Sequence, residues 1–308
     1  MTLYDLSGKH VAGSAHPFHY TSQQELTDGL LEHIRQFIND NQSVMRELVA
    51  FGITLPGLID PETGVVEYMP HIDVENLPLS DIISDKYGVA CFVGNDIRGL
   101  ALAEHYFGAS QDCNDSILVS VHHGTGAGII VNGQVFLGFN RNVGEIGHIQ
   151  IDPLGDKCQC GNFGCLETVA ADPAIIEQVQ KLLAQGYPST LSELEEVTMP
   201  AICEAANKGD ELASQALIKV GNQLGKALAM TINLFNPQKI VVAGNITQAK
   251  DVIFPAIRRC VETQSLSTFN KDLPIVESEL YTQPTIGAFS MIKRAMLNGV
   301  LLQRLLEE

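Results

Sequence analysis

Apolar and polar positions along the chain change period repeatedly, and the changes mark out its elements. Residues 1–4 read as a short strand, Asp5-Leu6-Ser7-Gly8-Lys9 as a turn, and His10–Gly13 as the returning strand. Leu26, Leu30, Ile34, Phe37 and Ile38 then recur at helical spacing, and Ser22 with Glu25 has the form of a capping box. The apolar run 48–54 predicts a buried strand, closed by two turn-forming clusters, Leu55-Pro56-Gly57 and Asp60-Pro61-Glu62-Thr63-Gly64. Residues 90–93 predict another strand with Gly94-Asn95-Asp96 at its end, followed by a helix over about 98–107. Residues 117–121 predict a strand that runs into His122-His123-Gly124-Thr125-Gly126-Ala127-Gly128. Beyond it, 129–131 and 135–137 flank Asn132-Gly133, a strong hairpin signal because both residues tolerate positive φ.

Further along, Asp172-Pro173 opens a helix with proline at its first turn, and Gly186 stops it. A long helix over about 211–234 ends before Asn236-Pro237, and 239–243 reads as a strand. A last helix is expected over 287–306. Its Ile292, Ala295, Met296, Leu302, Leu305 and Leu306 read as core packing rather than a partner surface. The alternation of strands and helices predicts an α/β protein of two lobes, with no fixed-period repeat.

Composition narrows the class. A chain of 308 residues exceeds one ordinary core and fits two packed domains. Hydrophobic residues make up 45% and charged residues 18%, a globular balance rather than a disordered one. No run of eighteen apolar residues predicts a membrane span, and residues 1–9 lack the pattern of a secretory signal. A cytoplasmic protein with no membrane partner is therefore expected. The net charge of -17 repels phosphate backbones, so nucleic acid binding by this chain alone is expected to be poor.

The seven cysteines are an odd number in a long chain, which argues against a disulfide framework. Three of them fall in Cys158-Gln159-Cys160-Gly161-Asn162-Phe163-Gly164-Cys165, shortly after His148. One imidazole and three thiolates form a common tetrahedral zinc set, and filling all four positions with protein leaves none for catalytic water. His148, Cys158, Cys160 and Cys165 are thus the expected ligands of a structural Zn2+, worth on the order of 10 kcal/mol of loop order. A zinc hydrolase is disfavoured on the same ground. Cys91, Cys113, Cys203 and Cys260 read as structural.

Glu145-Ile146-Gly147-His148 followed by Cys158 to Glu167 resembles the signature of the ROK family of bacterial sugar kinases and sugar-responsive repressors. Leu55-Pro56-Gly57 with Asp60-Pro61, Val93-Gly94-Asn95-Asp96 and Gly124-Thr125-Gly126-Ala127-Gly128 resemble its other motifs, so the likeness runs over essentially the whole chain. The stretches 94–110, 141–171 and 233–244 are similar to the repressors that answer to N-acetylglucosamine, more than to their glucose-responsive relatives. The resemblance implies the actin-like ATPase (RNase H-like) fold, with two α/β lobes around a sugar cleft. The smaller lobe is expected to be 1–95 plus 296–308, with the family's first strand missing, and the larger to be 96–295, including the zinc loop 148–165. It also implies sugar contacts at Asn95, Asp96, Glu145, His148 and Glu167, groups able to hydrogen-bond pyranose hydroxyls.

Within that family, a kinase would use Asp96 as general base. Two of the three nucleotide elements differ here, however. The opening Asp-x-Gly-x-Thr turn is absent, and the late loop reads Val242-Ala243-Gly244-Asn245 in place of paired glycines. The expected function is therefore a non-catalytic sensor, with Asp96 a vestigial base retained for sugar. The alternative is an ATP-dependent N-acetylglucosamine or hexose kinase. The resemblance implies N-acetylglucosamine 6-phosphate as inducer, its phosphate held by Gly124, Thr125 and Gly126 with charge from His122 or His123. Operator DNA would be read only through an N-terminal helix-turn-helix domain that this chain does not contain. A homodimer or homotetramer is the expected assembly.

Overall fold

The computed structural model describes residues 1–45, 47–70 and 72–307. The chain divides into two compact units. One comprises Met1–Tyr106, Leu137–Asn142 and Thr282–Glu308; the other comprises Phe107–Phe136 and Val143–Tyr281.

The first unit opens with an antiparallel pair, β1 (Thr2–Tyr4) and β2 (His10–Gly13). Helix α1 (Gln23–Asp40) follows, with Leu26 and Ile34 buried. Ser22 Oγ accepts the Glu25 N–H at 3.2 Å, as the capping pattern requires. The return arm lands one residue early: the Glu25 carboxylate accepts from both the N–H and the hydroxyl of Thr21 at 2.8 Å. Those bonds from Thr21 hold Glu25 below the usual carboxylate range.

Strand β3 (Ala50–Leu55) begins and ends slightly later than the apolar run suggests. The short antiparallel pair β4 (Leu58–Ile59) and β5 (Val66–Tyr68) comes next, then α2 (Leu79–Tyr87), which Gly88 closes in the left-handed conformation. Strand β6 (Ala90–Asn95) lies parallel to β3, with Ala50 opposite Ala90 and Leu55 opposite Asn95. Helix α3 (Asp96–Phe107) starts without a loop from its end.

The second unit is built on a five-stranded sheet. Strands β7 (Ser116–Val121), β8 (Thr125–Val131) and β9 (Gln134–Val135) form an antiparallel meander. Asn132 and Gly133, both at positive φ, make the predicted turn between β8 and β9. Four helices follow: α4 (Glu167–Ala170), α5 (Asp172–Ala184), α6 (Met199–Asn207) and α7 (Glu211–Phe235), the last closed by left-handed Asn236. Strand β10 (Lys239–Ala243), α8 (Lys250–Gln264), α9 (Ser267–Asn270) and β11 (Ile275–Glu277) complete the unit. The sheet order is β11-β10-β7-β8-β9, with β10 parallel to both its neighbours. One continuous core joins β7, β8 and β10 to α5, α6, α7 and α8.

The chain then returns to the first unit as α10 (Ile286–Leu297) and α11 (Val300–Glu307). The single helix expected over 287–306 is therefore broken, at Gly299 with φ +75°. The break also changes its faces. Ala295 and Leu301 are buried, whereas Leu302, Leu305 and Leu306 are exposed rather than packed in the core. Nor does the boundary between units fall at residues 95 and 296 as the sequence suggested. Helix α3 stays with β6, and α10 backs β3 so closely that a Cβ on Gly52 would stand 2.6 Å from the Ala288 carbonyl oxygen. A Cβ on Gly287 would likewise stand 2.9 Å from the Gly99 carbonyl carbon, so α3 and α10 meet backbone to backbone.

Candidate functional site

The His148, Cys158, Cys160 and Cys165 ligand atoms all lie within 4.8 Å of one another. Cys158 Sγ is 3.6 Å from His148 Nδ1, and Cys160 Sγ is 3.7 Å from Cys165 Sγ. These match a tetrahedron: zinc bonds of about 2.3 Å to sulfur and about 2.0 Å to nitrogen give edges of roughly 3.8 Å for S···S and 3.6 Å for S···N. The donor set is soft and borderline, so the residues fit zinc. His148 turns Nδ1 toward the sulfurs, leaving Nε2 for another partner.

Backbone turns hold this geometry. The Cys158 N–H donates to the Asn162 carbonyl at 2.7 Å, and the Gly161 N–H to the Cys158 carbonyl at 3.0 Å. The knuckle is stitched to its flank by Ile151 N–H to Gly164 O at 2.8 Å and Leu166 N–H to Ile149 O at 2.9 Å. Burial pushes the Cys165 thiol up to about 12, whereas the Asn162 backbone N–H lowers Cys160. A bare cluster would thus keep a proton on Cys165 that a cation must displace.

Glu167 stands two residues beyond Cys165, at the start of α4, with buried Leu166 between them. Its Oε2 accepts the Thr125 N–H at 3.1 Å. A Cβ on Gly124 would sit 2.9 Å from that same oxygen, so a side chain there would make the Glu167 carboxylate shift. Residues 144–148 lie on the other side of Thr125. The Ala127 N–H donates to Gly144 O at 2.7 Å, and a Cβ on Gly147 would be 2.2 Å from the Thr125 carbonyl oxygen. Thr125 is therefore the common neighbour of the segment bearing Glu145 and His148 and of Glu167.

Only part of Gly124-Thr125-Gly126 is a loop. Thr125 and Gly126 belong to β8, opposite Val121 and Ser120. Because the Ala127 N–H points to Gly144, the alternation of an antiparallel ladder turns the Gly126 N–H toward β7. With Glu167 on the Thr125 N–H, the turn offers fewer donors than its glycines suggested.

In the first unit, Asn95 ends β6 and caps α3: its Oδ1 accepts the Arg98 N–H at 3.0 Å, and its Nδ2 donates to the Gly57 carbonyl at 3.1 Å. Asn95 thus caps the helix that its neighbour Asp96 begins. Asp96 is exposed, with Oδ1 accepting the Ile97 N–H at 2.8 Å.

A polar network that sequence reasoning missed surrounds His122. Its Nδ1 lies 2.9 Å from Oδ2 of Asp172, which is only 5% exposed. The same oxygen accepts from Asn245 Nδ2 at 3.0 Å, and Tyr281 OH donates to Asn245 Oδ1 at 3.3 Å. Asp172 signals a helix start in sequence, and nothing local ties it to a histidine fifty residues away. His123 stacks on His122 with ring centroids 4.5 Å apart.

The model of the ROK family matches residues 1–295. The chain belongs to the ROK family. Its whole length is 58% identical to the DNA-binding transcriptional dual regulator NagC of Escherichia coli K12 and covers 75% of that protein. A glucokinase of Thermotoga maritima is 32% identical over 79% of this chain and 78% of its own length. Among solved structures, a ROK family transcriptional regulator, homolog of E. coli Mlc, superposes with a TM-score of 0.96 at 43% identity, covering all of this chain and 78% of that one. A ROK glucokinase of Streptomyces griseus, solved with glucose and AMPPNP, has a TM-score of 0.79 at 23% identity and 94% coverage of this chain, a likeness of fold. The ROK member described here thus has the α/β, actin-like fold of the family's sugar kinases. Among its described residues no helix is long and apolar enough to cross a membrane.

Proposed function

We infer that this chain is the sugar-sensing portion of a ROK transcriptional repressor that controls amino-sugar genes, with N-acetylglucosamine 6-phosphate as its inducer. The observation that carries the reading is the metal cluster joined to Glu167. A Zn2+ held by His148, Cys158, Cys160 and Cys165 would fix one imidazole and, two residues past Cys165, one carboxylate. A ligated imidazole keeps one tautomer and one orientation, which suits hydrogen bonding to a sugar hydroxyl. The zinc supplies position, not reactivity. Asn95, Asp96, Glu145, His148 and Glu167 are the sugar-binding residues in this reading. The 58% identity to NagC, called an N-acetylglucosamine repressor in other E. coli strains, supports the amino sugar.

The phosphate is assigned to the turn at Gly124, with Thr125 and Gly126 behind it. Glu167 already occupies the Thr125 N–H, so in this reading the phosphate faces the His122 and His123 side, whose ring N–H groups can donate to it. Calorimetric titration with N-acetylglucosamine, its 6-phosphate and glucosamine 6-phosphate tests both parts. Binding of the 6-phosphate at least tenfold above the free sugar supports the reading, and equal affinities remove the phosphate site.

The T. maritima glucokinase keeps a second reading in view, an ATP-dependent N-acetylhexosamine kinase with exposed Asp96 as base. Against it, the late loop carries Asn245, whose amide is tied to Asp172 and Tyr281. A coupled assay with ATP and N-acetylglucosamine decides: turnover establishes the kinase. In the sensor reading, operator DNA is bound through a separate domain, and inducer lowers operator affinity by linkage. The assembly is proposed to be a homodimer or homotetramer in the cytoplasm.

A further inference from the structure

We propose that Asp172 is the positioning residue of the phosphate site: it holds the His122 ring with Nε2–H toward the inducer's phosphate and keeps that ring cationic while the phosphate is bound. This role rests on the phosphate being held at the Gly124 turn, and it singles out one of the two histidines there.

The turn itself offers an anion little else. Val121 pairs with Thr125, so His122, His123 and Gly124 form the connection between β7 and β8. The His122 N–H is tied to the Gly124 carbonyl at 2.9 Å and the Thr125 N–H to Glu167, while the Gly126 N–H faces β7. That leaves the N–H groups of His123 and Gly124. Glu167 also brings a carboxylate to the turn, so a phosphate bound there needs a cation close by.

His122 is clamped at two points. The Asp172 N–H donates to the His122 carbonyl at 2.7 Å, and His122 Nδ1 lies 2.9 Å from Asp172 Oδ2. One residue thus fixes both the backbone and the ring. An ionised carboxylate accepts and does not donate, so Nδ1 carries the proton. A neutral ring in that tautomer meets phosphate oxygens acceptor to acceptor at Nε2, whereas an imidazolium offers them Nε2–H. The two ring nitrogens point apart, and the His122 side chain is 57% exposed against 7% for Asp172, so Nε2 is the nitrogen left for a ligand.

The surroundings of Asp172 leave the counter-charge to His122. Asp172 Oδ1 is buried with no hydrogen-bond partner among the described residues. Oδ2 accepts from the Asn245 amide at 3.0 Å, and Tyr281 OH backs that amide at its oxygen. Helix α6 supplies Cys203, whose thiol is pushed up to about 12 by burial and then by the Asp172 charge, so it stays neutral. Among the described residues, His122 is the ion-pair partner of Asp172. A buried carboxylate is costly without a counter-charge, and an imidazolium supplies it. His123 stacks on His122 with ring centroids 4.5 Å apart and planes 27° apart. Two like charges face to face repel, so His123 stays neutral when His122 is charged.

Calorimetric titration of the whole chain with N-acetylglucosamine and its 6-phosphate, between about pH 6.5 and 8.5, tests this above the phosphate's own second ionisation. The wild type should prefer the 6-phosphate by at least about tenfold at the acid end and lose that preference as pH rises, by up to about tenfold per unit. Asp172→Asn should cut the preference about tenfold and flatten its pH profile. Asp172→Glu, which keeps a carboxylate, should restore part of it. Nitrogen-15 NMR of the histidine-labelled wild type needs no variant: in the 6-phosphate complex near neutral pH, both His122 ring nitrogens should carry protons. Equal affinity of the wild type for the two sugars removes the phosphate site and the role of Asp172 with it. A preference that survives Asp172→Asn unchanged, or a neutral His122 in the phosphate complex, overturns the role of Asp172 and leaves the phosphate site standing.

Discussion

A Cβ at Gly164 would stand 1.5 Å from the Asp152 carbonyl oxygen, at a residue whose φ is +67°. Gly164→Ala therefore meets a backbone collision as well as a left-handed conformation, and should cost well over the ~1 kcal/mol of the conformation alone. The expected outcome is zinc below half an equivalent by metal analysis and a lowered Tm. Removing the ligands directly, with Cys158→Ser and Cys160→Ser together, should abolish sugar binding in calorimetry while far-ultraviolet circular dichroism stays near native. Undiminished affinity would separate the sugar site from the metal. Proton linkage gives a third check. Cys165, pushed up to about 12 by burial, must lose its proton to bind zinc. Affinity should rise with pH and fall by about tenfold per unit for each proton taken back on acidification, as a chelator-competition titration would read. The four ligands were legible because they are close in sequence and chemically distinctive. The bond from Glu167 to Thr125 and the pair His122–Asp172 were not, since each joins residues more than forty positions apart.

Among the elements, periodicity located α1, α7 and, in the second sheet, β7, β10 and parts of β8 and β9; it missed α8 and β11, and it failed where a glycine or a ladder decides. Nothing in the apolar run 287–306 requires a break, because glycine is tolerated within helices. Gly299 takes φ +75°, and beyond it Leu301 packs in the core with Ala90 and Ala295. Thr125 and Gly126 look like loop residues until β7 pairs with them. The capping signal before α1 was sound in its main part. Ser22→Ala should cost about 1 kcal/mol by denaturant unfolding, since it frees the Glu25 N–H. The Thr21 bonds to the Glu25 carboxylate remain in that variant and limit the loss.

For the whole molecule, composition and motif order were enough to place two α/β units, but not where one stops, because the first unit is assembled from three separate stretches. With a net charge of -17, this chain should give no specific operator shift in gel electrophoresis at physiological salt. A sequence-specific complex would require a DNA-reading surface within these residues. The three-part first unit also bears on biosynthesis. Its opening 106 residues leave the ribosome well before α10, which supports β3 from behind, has been translated. At about 5–20 residues per second the wait is roughly 10–35 s. Through that interval the nascent sheet has no backing helix, and the zinc-bearing unit, which extends to Tyr281, is itself still being made. Strand β3 waits longest for its support, so chaperone dependence should centre on the first unit.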